Sequence, residues 1–137
     1  MRKSRRDPVS SAPLARRTSA HRRGALAEEV VADFLAAKGF RILGLNVRVG
    51  RYELDVVAQQ ADLIAIVEVR TRSASSWQSA LESIGPQKIR RVRTAGEQLW
   101  SSRFAEDRTV NRVRYDVATV IFEIGGATVV EYFEGAF

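Results

Sequence analysis

The sequence predicts an α/β domain in which helices cover both faces of a sheet of about five strands. Apolar residues at helical spacing mark two segments, and strand-like runs lie between and after them. Along the chain the order is helix, three strands, helix, two strands. The two central strand candidates, residues 51–58 and 64–70, are apolar almost throughout apart from a few charged residues, so both of their faces need cover.

The first helix is expected from about Ala25 to Lys38, where Leu26, Val30, Phe34 and Ala37 recur at helical spacing and Gly39 supplies a stop. Phe40 to Val49 reads as a strand and Gly50-Arg51 as a turn. The two acidic strands follow, with a polar turn expected over Gln59 to Asp62. Ser73 to Ser76 is a polar loop. A second helix is expected over Pro86 to Ser101, since proline suits a first turn. Asn111 to Glu123 alternates as a strand does, Gly125-Gly126 is a hairpin turn, and Thr128 to Phe133 is the last strand. Trp100 belongs to the core side of the second helix, and Trp77 reads as packing beside a Ser-rich loop, with stacking on a base as the alternative.

With 137 residues the chain is long enough for one domain with a real core. It has no cysteine, which excludes disulfides, thiolate metal sites and cysteine nucleophiles. His21, in the N-terminal segment, is its one histidine, so histidine-based metal sites and serine–histidine catalysis are not expected. No phosphate-cradling Gly-Lys-Ser/Thr loop and no Gly-x-Ser-x-Gly elbow occurs. Any catalysis must therefore use carboxylates, lysine and arginine. No apolar run is long enough to span a membrane and no secretory signal is present, so the expected compartment is the cytoplasm.

The net charge of +6 is uneven. Residues 1–23 hold eight Lys/Arg and one Asp, whereas residues 24–137 hold 14 Lys/Arg and 15 Asp/Glu. The expected organisation is a basic, disordered tail over 1–23, able to favour phosphate backbones without specificity, and a folded domain over 24–137.

Carboxylates set into apolar strands are costly unless something offsets their charge, and a divalent cation is the usual partner. With a four-residue turn, Asp55 falls opposite Ile66 and Glu53 opposite Glu68. Glu53, Asp55, Glu68 and Arg70 then share one face, with Leu54, Val56, Val67 and Val69 on the other. Glu53 has Arg51 or Arg70 as a partner. Lys88, Arg90, Arg91 and Arg93 form a basic cluster on the second helix, readable as a phosphate-contacting face or as a solvated one. Arg114 and Asp116 share a strand face and are expected to pair.

Asp55 followed by Glu68-Val69-Arg70, with twelve residues between the two acids and a helix on either side, resembles the Asp…Glu-x-Lys signature of the PD-(D/E)XK nuclease superfamily. The resemblance sharpens to the YraN-type family of uncharacterised bacterial proteins, similar to Holliday junction resolvases. It is carried by Gly24-Ala25-Leu26-Ala27-Glu28-Glu29, Gly39-Phe40-Arg41-Ile42-Leu43, Asn46 and Arg48, Glu53 to Ala58, Val67 to Arg72, Lys88, and Arg114-Tyr115-Asp116-Val117. It implies a restriction-endonuclease-like fold with a mixed sheet in the order α-β-β-β-α-β-β. It also implies a site in which Glu28, Asp55 and Glu68 hold Mg²⁺ or Mn²⁺, with the basic residue after them serving catalysis. The implied partner is nucleic acid, above all branched or structured DNA, and action on a two-fold junction calls for a homodimer.

Two residues depart from the family pattern. Tyr52 stands where the family usually has glycine, and the motif's lysine is Arg70. Arginine does not lose its proton in proteins, so Arg70 is suited to stabilise charge rather than to act as a base, and Lys88 is the candidate to supply an ammonium. The alternatives to a metal-dependent endonuclease are a nucleic-acid-binding module of the same fold that cuts weakly or not at all, which Arg70 favours, and a partner-binding protein unrelated to nucleic acid.

Overall fold

The computed structural model describes residues 12–73 and 84–137, with the side chains of 22–72 and 84–137. Helix α1 spans Ala12–Ala37 and so begins well before Ala25, taking in part of the basic segment; residues 1–11, and Trp77, lie outside the described residues. The helix stops where Gly39 takes φ +94°, in the left-handed region that glycine tolerates. Strands β1 (Arg41–Val49), β2 (Tyr52–Gln60) and β3 (Leu63–Ser73) follow. Helix α2 covers Pro86–Leu99 and runs into a π-helical turn at Trp100–Phe104, so the regular helix ends two residues before the expected Ser101. Strands β4 (Arg112–Phe122) and β5 (Thr128–Phe133) complete the chain order α-β-β-β-α-β-β.

The five strands form one sheet in sequential order. β3 and β4 run parallel, joined through α2, and the other neighbours are antiparallel, as in the restriction-endonuclease-like fold. Helix α1 covers one face, where Ala27, Val31 and Leu35 meet Val56, Ala58, Ala65, Val67, Ala118 and Val120. Helix α2 covers the other, where Val92, Ala95 and Leu99 meet Leu54, Val57, Ile64, Ile66 and Tyr115. The near-continuous apolar runs of β2 and β3 are explained by this two-sided burial.

Helix α2 lies close to the sheet because Gly96 faces it. A Cβ at Gly96 would stand 2.5 Å from Tyr115 Oη and 2.9 Å from Ile66 Cδ1, nearer than real side chains pack. Between β4 and β5 the expected hairpin turn is present, with Gly125 and Gly126 at φ +105° and +94° and the Glu123 N–H donating to the Ala127 carbonyl at 2.9 Å.

One expectation is corrected here. The turn between β2 and β3 is Ala61-Asp62, not Gln59 to Asp62, because Ala61 adopts φ +52° and lets the strands pair to their ends at Gln60↔Leu63. The register therefore moves by two residues: Ile66 faces Val57, and Asp55 comes level with Glu68 instead of Glu53 doing so. A shift of two preserves which face a side chain points to, so the displacement brings Asp55 and Glu68 nearer without turning either away.

Candidate functional site

The site is created by a break in pairing. β2 and β3 pair from Gln60↔Leu63 as far as Val56↔Val67 and no further, while β3 goes on pairing with β4 to Ser73↔Phe122. Past Val67 the strands diverge, and one edge of β3 loses its backbone partner. The Asp55 carboxylate takes that place, its Oδ2 accepting from the Val69 N–H at 2.9 Å. A backbone donor that would otherwise lie unsatisfied thus fixes the orientation of the Asp55 side chain.

The neighbouring strand bends at the same level. In the β1–β2 ladder Leu45 faces Val56 and Val47 faces Leu54, and Asn46 between them holds φ +50°. Asparagine is among the few residues that tolerate this conformation. The alternation of β2 shifts here: Tyr52, Leu54 and Val57 pack on the α2 side, Val56 and Ala58 on the α1 side. This corrects the expectation that Leu54 shares a face with Val56, Val67 and Val69. The last three do pack toward α1, but Leu54 is in the other layer, because the strand is irregular around Asp55.

With Val67 and Val69 toward α1, strand alternation turns Glu68 and Arg70 to the α2 side. There Lys88, in the first turn of α2, brings Nζ to 3.5 Å from Glu68 Oε2, and Arg70 Nη1 stands 3.7 Å from the same oxygen. The Glu68 side chain is only 3% exposed, against 38% for Lys88 and 34% for Arg70. Burial first, and then the negative charge of Asp55 and a hydrogen bond shared with it, push the Glu68 carboxyl up to about 7, against the opposing pull of Lys88 and Arg70. A second negative charge beside a buried carboxylate disfavours its ionised form, as like charges in close contact do.

Asp55, Glu68, Arg70 and Lys88 are thus brought together, a reach for Lys88 that the sequence alone does not give. Glu28 is placed on α1 and accepts a hydrogen bond from Asn46 Nδ2 at 3.0 Å. Among the described residues, no three Asp, Glu or His side chains gather tightly enough to hold a metal ion between them. Glu53 pairs with Arg48 at 3.6 Å on the surface, and not with Arg51 or Arg70. Arg51 donates instead to the Tyr52 hydroxyl at 3.1 Å.

Arg114 and Asp116 form the expected pair, and more. The guanidinium makes two bonds to the fully buried Asp116 carboxylate, at 2.8 and 2.9 Å. The Tyr132 hydroxyl donates to it at 2.5 Å and the Gly135 N–H at 2.8 Å. Burial and the Asp116 charge raise the Tyr132 hydroxyl far above its ordinary value, so it remains a donor. With its oxygens so occupied, Asp116 anchors the C-terminal segment. Neither Asn46 nor Tyr132 was given a role from sequence. An asparagine interrupting an otherwise strand-like run is a signal for the first, and nothing local marks the second.

Among the described residues no helix is long and apolar enough to cross a membrane. The sequence profile of the Uncharacterised protein family UPF0102 matches residues 27–120, which includes the diverging strands and all of α2. A UPF0102 protein of Sorangium cellulosum is 50% identical over 114 residues, covering 83% of this chain and 79% of its own. A UPF0102 protein of Agrobacterium fabrum is 38% identical over 106 residues, covering 77% and 84%, and one of Rhizobium etli is 38% identical over 104, covering 76% and 82%. The site residues therefore lie on a shared framework, and the chain belongs to the uncharacterised protein family UPF0102, the YraN type, within the nuclease superfamily.

Proposed function

We propose that this protein binds nucleic acid and acts on it as a metal-dependent endonuclease resembling Holliday junction resolvases, with branched or structured DNA as its substrate. The observation that carries this reading is the meeting of Asp55 and the buried Glu68 where β2 and β3 part, with two cations on Glu68. A buried carboxylate with a second one beside it gains from a divalent cation, which would offset the charge that burial and its neighbour disfavour. Two protein carboxylates fit Mg²⁺ or Mn²⁺ of the kind completed by waters and phosphate oxygens. Glu28 on α1, which accepts from Asn46, is the third carboxylate that the family resemblance implies.

Bound there, the ion would supply water activation and neutralise charge on the scissile phosphate. The protein's own contributions are then separable. Asp55 and Glu68 would hold the ion, with Asp55 itself fixed by the Val69 N–H. Arg70 stays protonated and stabilises the charge that grows on the phosphate oxygens. Lys88 presents an ammonium from the opposite layer, beside the same Glu68 oxygen.

A second reading is favoured by Arg70: a binding module that keeps the fold and charges but cuts weakly or not at all, because the motif's lysine is absent. Calorimetric titration with Mn²⁺, beside cleavage of a four-way DNA junction, tests the proposal on wild type and Asp55→Ala. Metal binding and cutting by wild type alone are expected. Equal Mn²⁺ affinity in both proteins would remove the metal site, and junction binding without cutting under any metal would leave the binding module.

A further inference from the structure

The positive charge of the domain is concentrated on one short surface next to the site. Pro86 to Arg93, the first two turns of α2, carries Lys88, Arg90, Arg91 and Arg93 and no acid. The rest of residues 24–137 holds 10 Lys/Arg against 15 Asp/Glu. An excess of this kind, on an otherwise acidic domain, is a local field and not a property of the whole surface.

The four cations divide by what they touch. Lys88 reaches Glu68 at 3.5 Å and belongs to the site. Arg93 is exposed, but its guanidinium lies over the Tyr115 ring, 4.9 Å from its centre. Arg90 and Arg91 are exposed and make no ion pair or hydrogen bond with any described residue. Arg91 follows Lys88 by three residues, which places the two side chains on one side of the helix, about 5–6 Å apart at Cβ. Surface arginines on a helix commonly find a carboxylate three or four positions away. Positions 87, 94 and 95 are Gln, Thr and Ala, and Glu97, the sole acid in α2, lies six residues beyond Arg91 and seven beyond Arg90. Arg70, Lys88 and Arg91 form a line from the carboxylate pair to the side of α2, and Arg90, about 100° further round the helix from Arg91, faces open solvent.

We infer that Arg90 and Arg91 form the surface along which the phosphate backbone of a nucleic acid lies as it leaves the Glu68 site. The inference rests on the reading of the protein as one that acts on nucleic acid, and adds where the strand runs. Arginine suits this use because its planar fork meets phosphate oxygens two at a time. The contacts are to backbone alone, so they position the strand and carry no base preference.

The test uses the full chain, with fluorescence anisotropy on a labelled duplex and a labelled four-way junction at several salt concentrations. In Arg90→Gln/Arg91→Gln the slope of log K against log salt should flatten by about 1.8, which is two phosphate contacts. Between 50 and 200 mM salt the double variant should then lose roughly tenfold less affinity than wild type. Arg93→Gln should keep the wild-type slope, since that arginine is stacked on Tyr115. An unchanged slope in the double variant overturns the inference, as does an equal loss in Arg93→Gln, which would point to diffuse charge. If the double variant keeps its slope while Asp55→Ala still abolishes cutting, this inference fails and the proposed function stands. If wild type binds neither DNA, both fail.

Discussion

Replacing Glu68 by Gln should stabilise the folded protein at neutral and alkaline pH, and the size of the effect follows from the site. An unfolded chain releases the Glu68 proton near the ordinary 4.5, whereas the folded protein holds it to about 7, chiefly because burial disfavours the charged form. Below pH 4.5 both states carry the proton and the residue adds no pH dependence. Between the two values only the folded state keeps it, so folding takes up a proton and stability falls as pH rises. Above about 7 both states are ionised and the whole cost is present. The two values differ by about 2.5, which at 1.36 kcal/mol for each is roughly 3 kcal/mol.

Glutamine keeps the shape and cannot ionise. Urea unfolding of both proteins in EDTA should therefore show the variant gaining roughly 3 kcal/mol on wild type between pH 4.5 and pH 8. Mn²⁺ at pH 8 should narrow the gap, because a cation held by the carboxylate pair stabilises wild type by about 2.7 kcal/mol at a hundred times its dissociation constant. Stability curves that run parallel with pH would refute the reasoning, for they would mean that Glu68 is as well solvated folded as unfolded.

Restoring the motif residue, Arg70→Lys, should keep or raise cleavage of a branched DNA with Mg²⁺ or Mn²⁺, whereas Arg70→Ala should lower it about 10²-fold, as for loss of one preorganised charge-stabilising group; equal single-turnover rates in Arg70→Ala and wild type would take Arg70 out of the site. Asp116→Ala should cost about 3–5 kcal/mol in urea unfolding, because it leaves the Arg114 guanidinium, the Tyr132 hydroxyl and the Gly135 N–H without their acceptor. Gly96→Ala should cost about 1–3 kcal/mol by the same measurement, since α2 must move off Tyr115 and Ile66 to admit the methyl group, and an unchanged midpoint would show that the helix shifts without loss.

Element order and two-sided cover of the sheet were legible because they rest on periodicity and on apolar runs too long for a half-exposed strand. The approach of Lys88 to Glu68 was not, because the reach from the second helix to the strand depends on packing. Nor was the register. Ala61 at φ +52° is what shortens the turn, and alanine gives no sign of accepting that conformation, as a glycine or asparagine would. The face of Leu54 was misread for a related reason. Parity arguments assume an unbroken strand, and β2 shifts its alternation at Asp55, opposite a left-handed Asn46. The partner of Glu53 went to Arg48 because the ladder sets those two residues across from each other, a relation that only the β1–β2 register reveals. The fourfold coordination of Asp116 by Arg114, Tyr132 and Gly135 joins residues 16 and 19 positions apart, beyond any local pattern.

The same break that defeated the parity argument is what makes the site. Regular pairing past Val67 would give the Val69 N–H a backbone acceptor and leave Asp55 without its anchor. Divergence releases that donor to the Asp55 side chain and opens room beside Glu68, into which α2 delivers Lys88. Lys88 and Arg70 approach one and the same oxygen of Glu68, at 3.5 and 3.7 Å, from different layers of the fold. An arginine in the motif position therefore does not strip the site of an ammonium. The Lys88 ammonium stands on α2, where its placement depends on how closely that helix packs, and Gly96 is the residue that lets it pack so near the sheet. Glu68 thus meets a guanidinium on its own strand and an ammonium held beside it by the fit of a helix that has no side chain where it touches Tyr115 and Ile66.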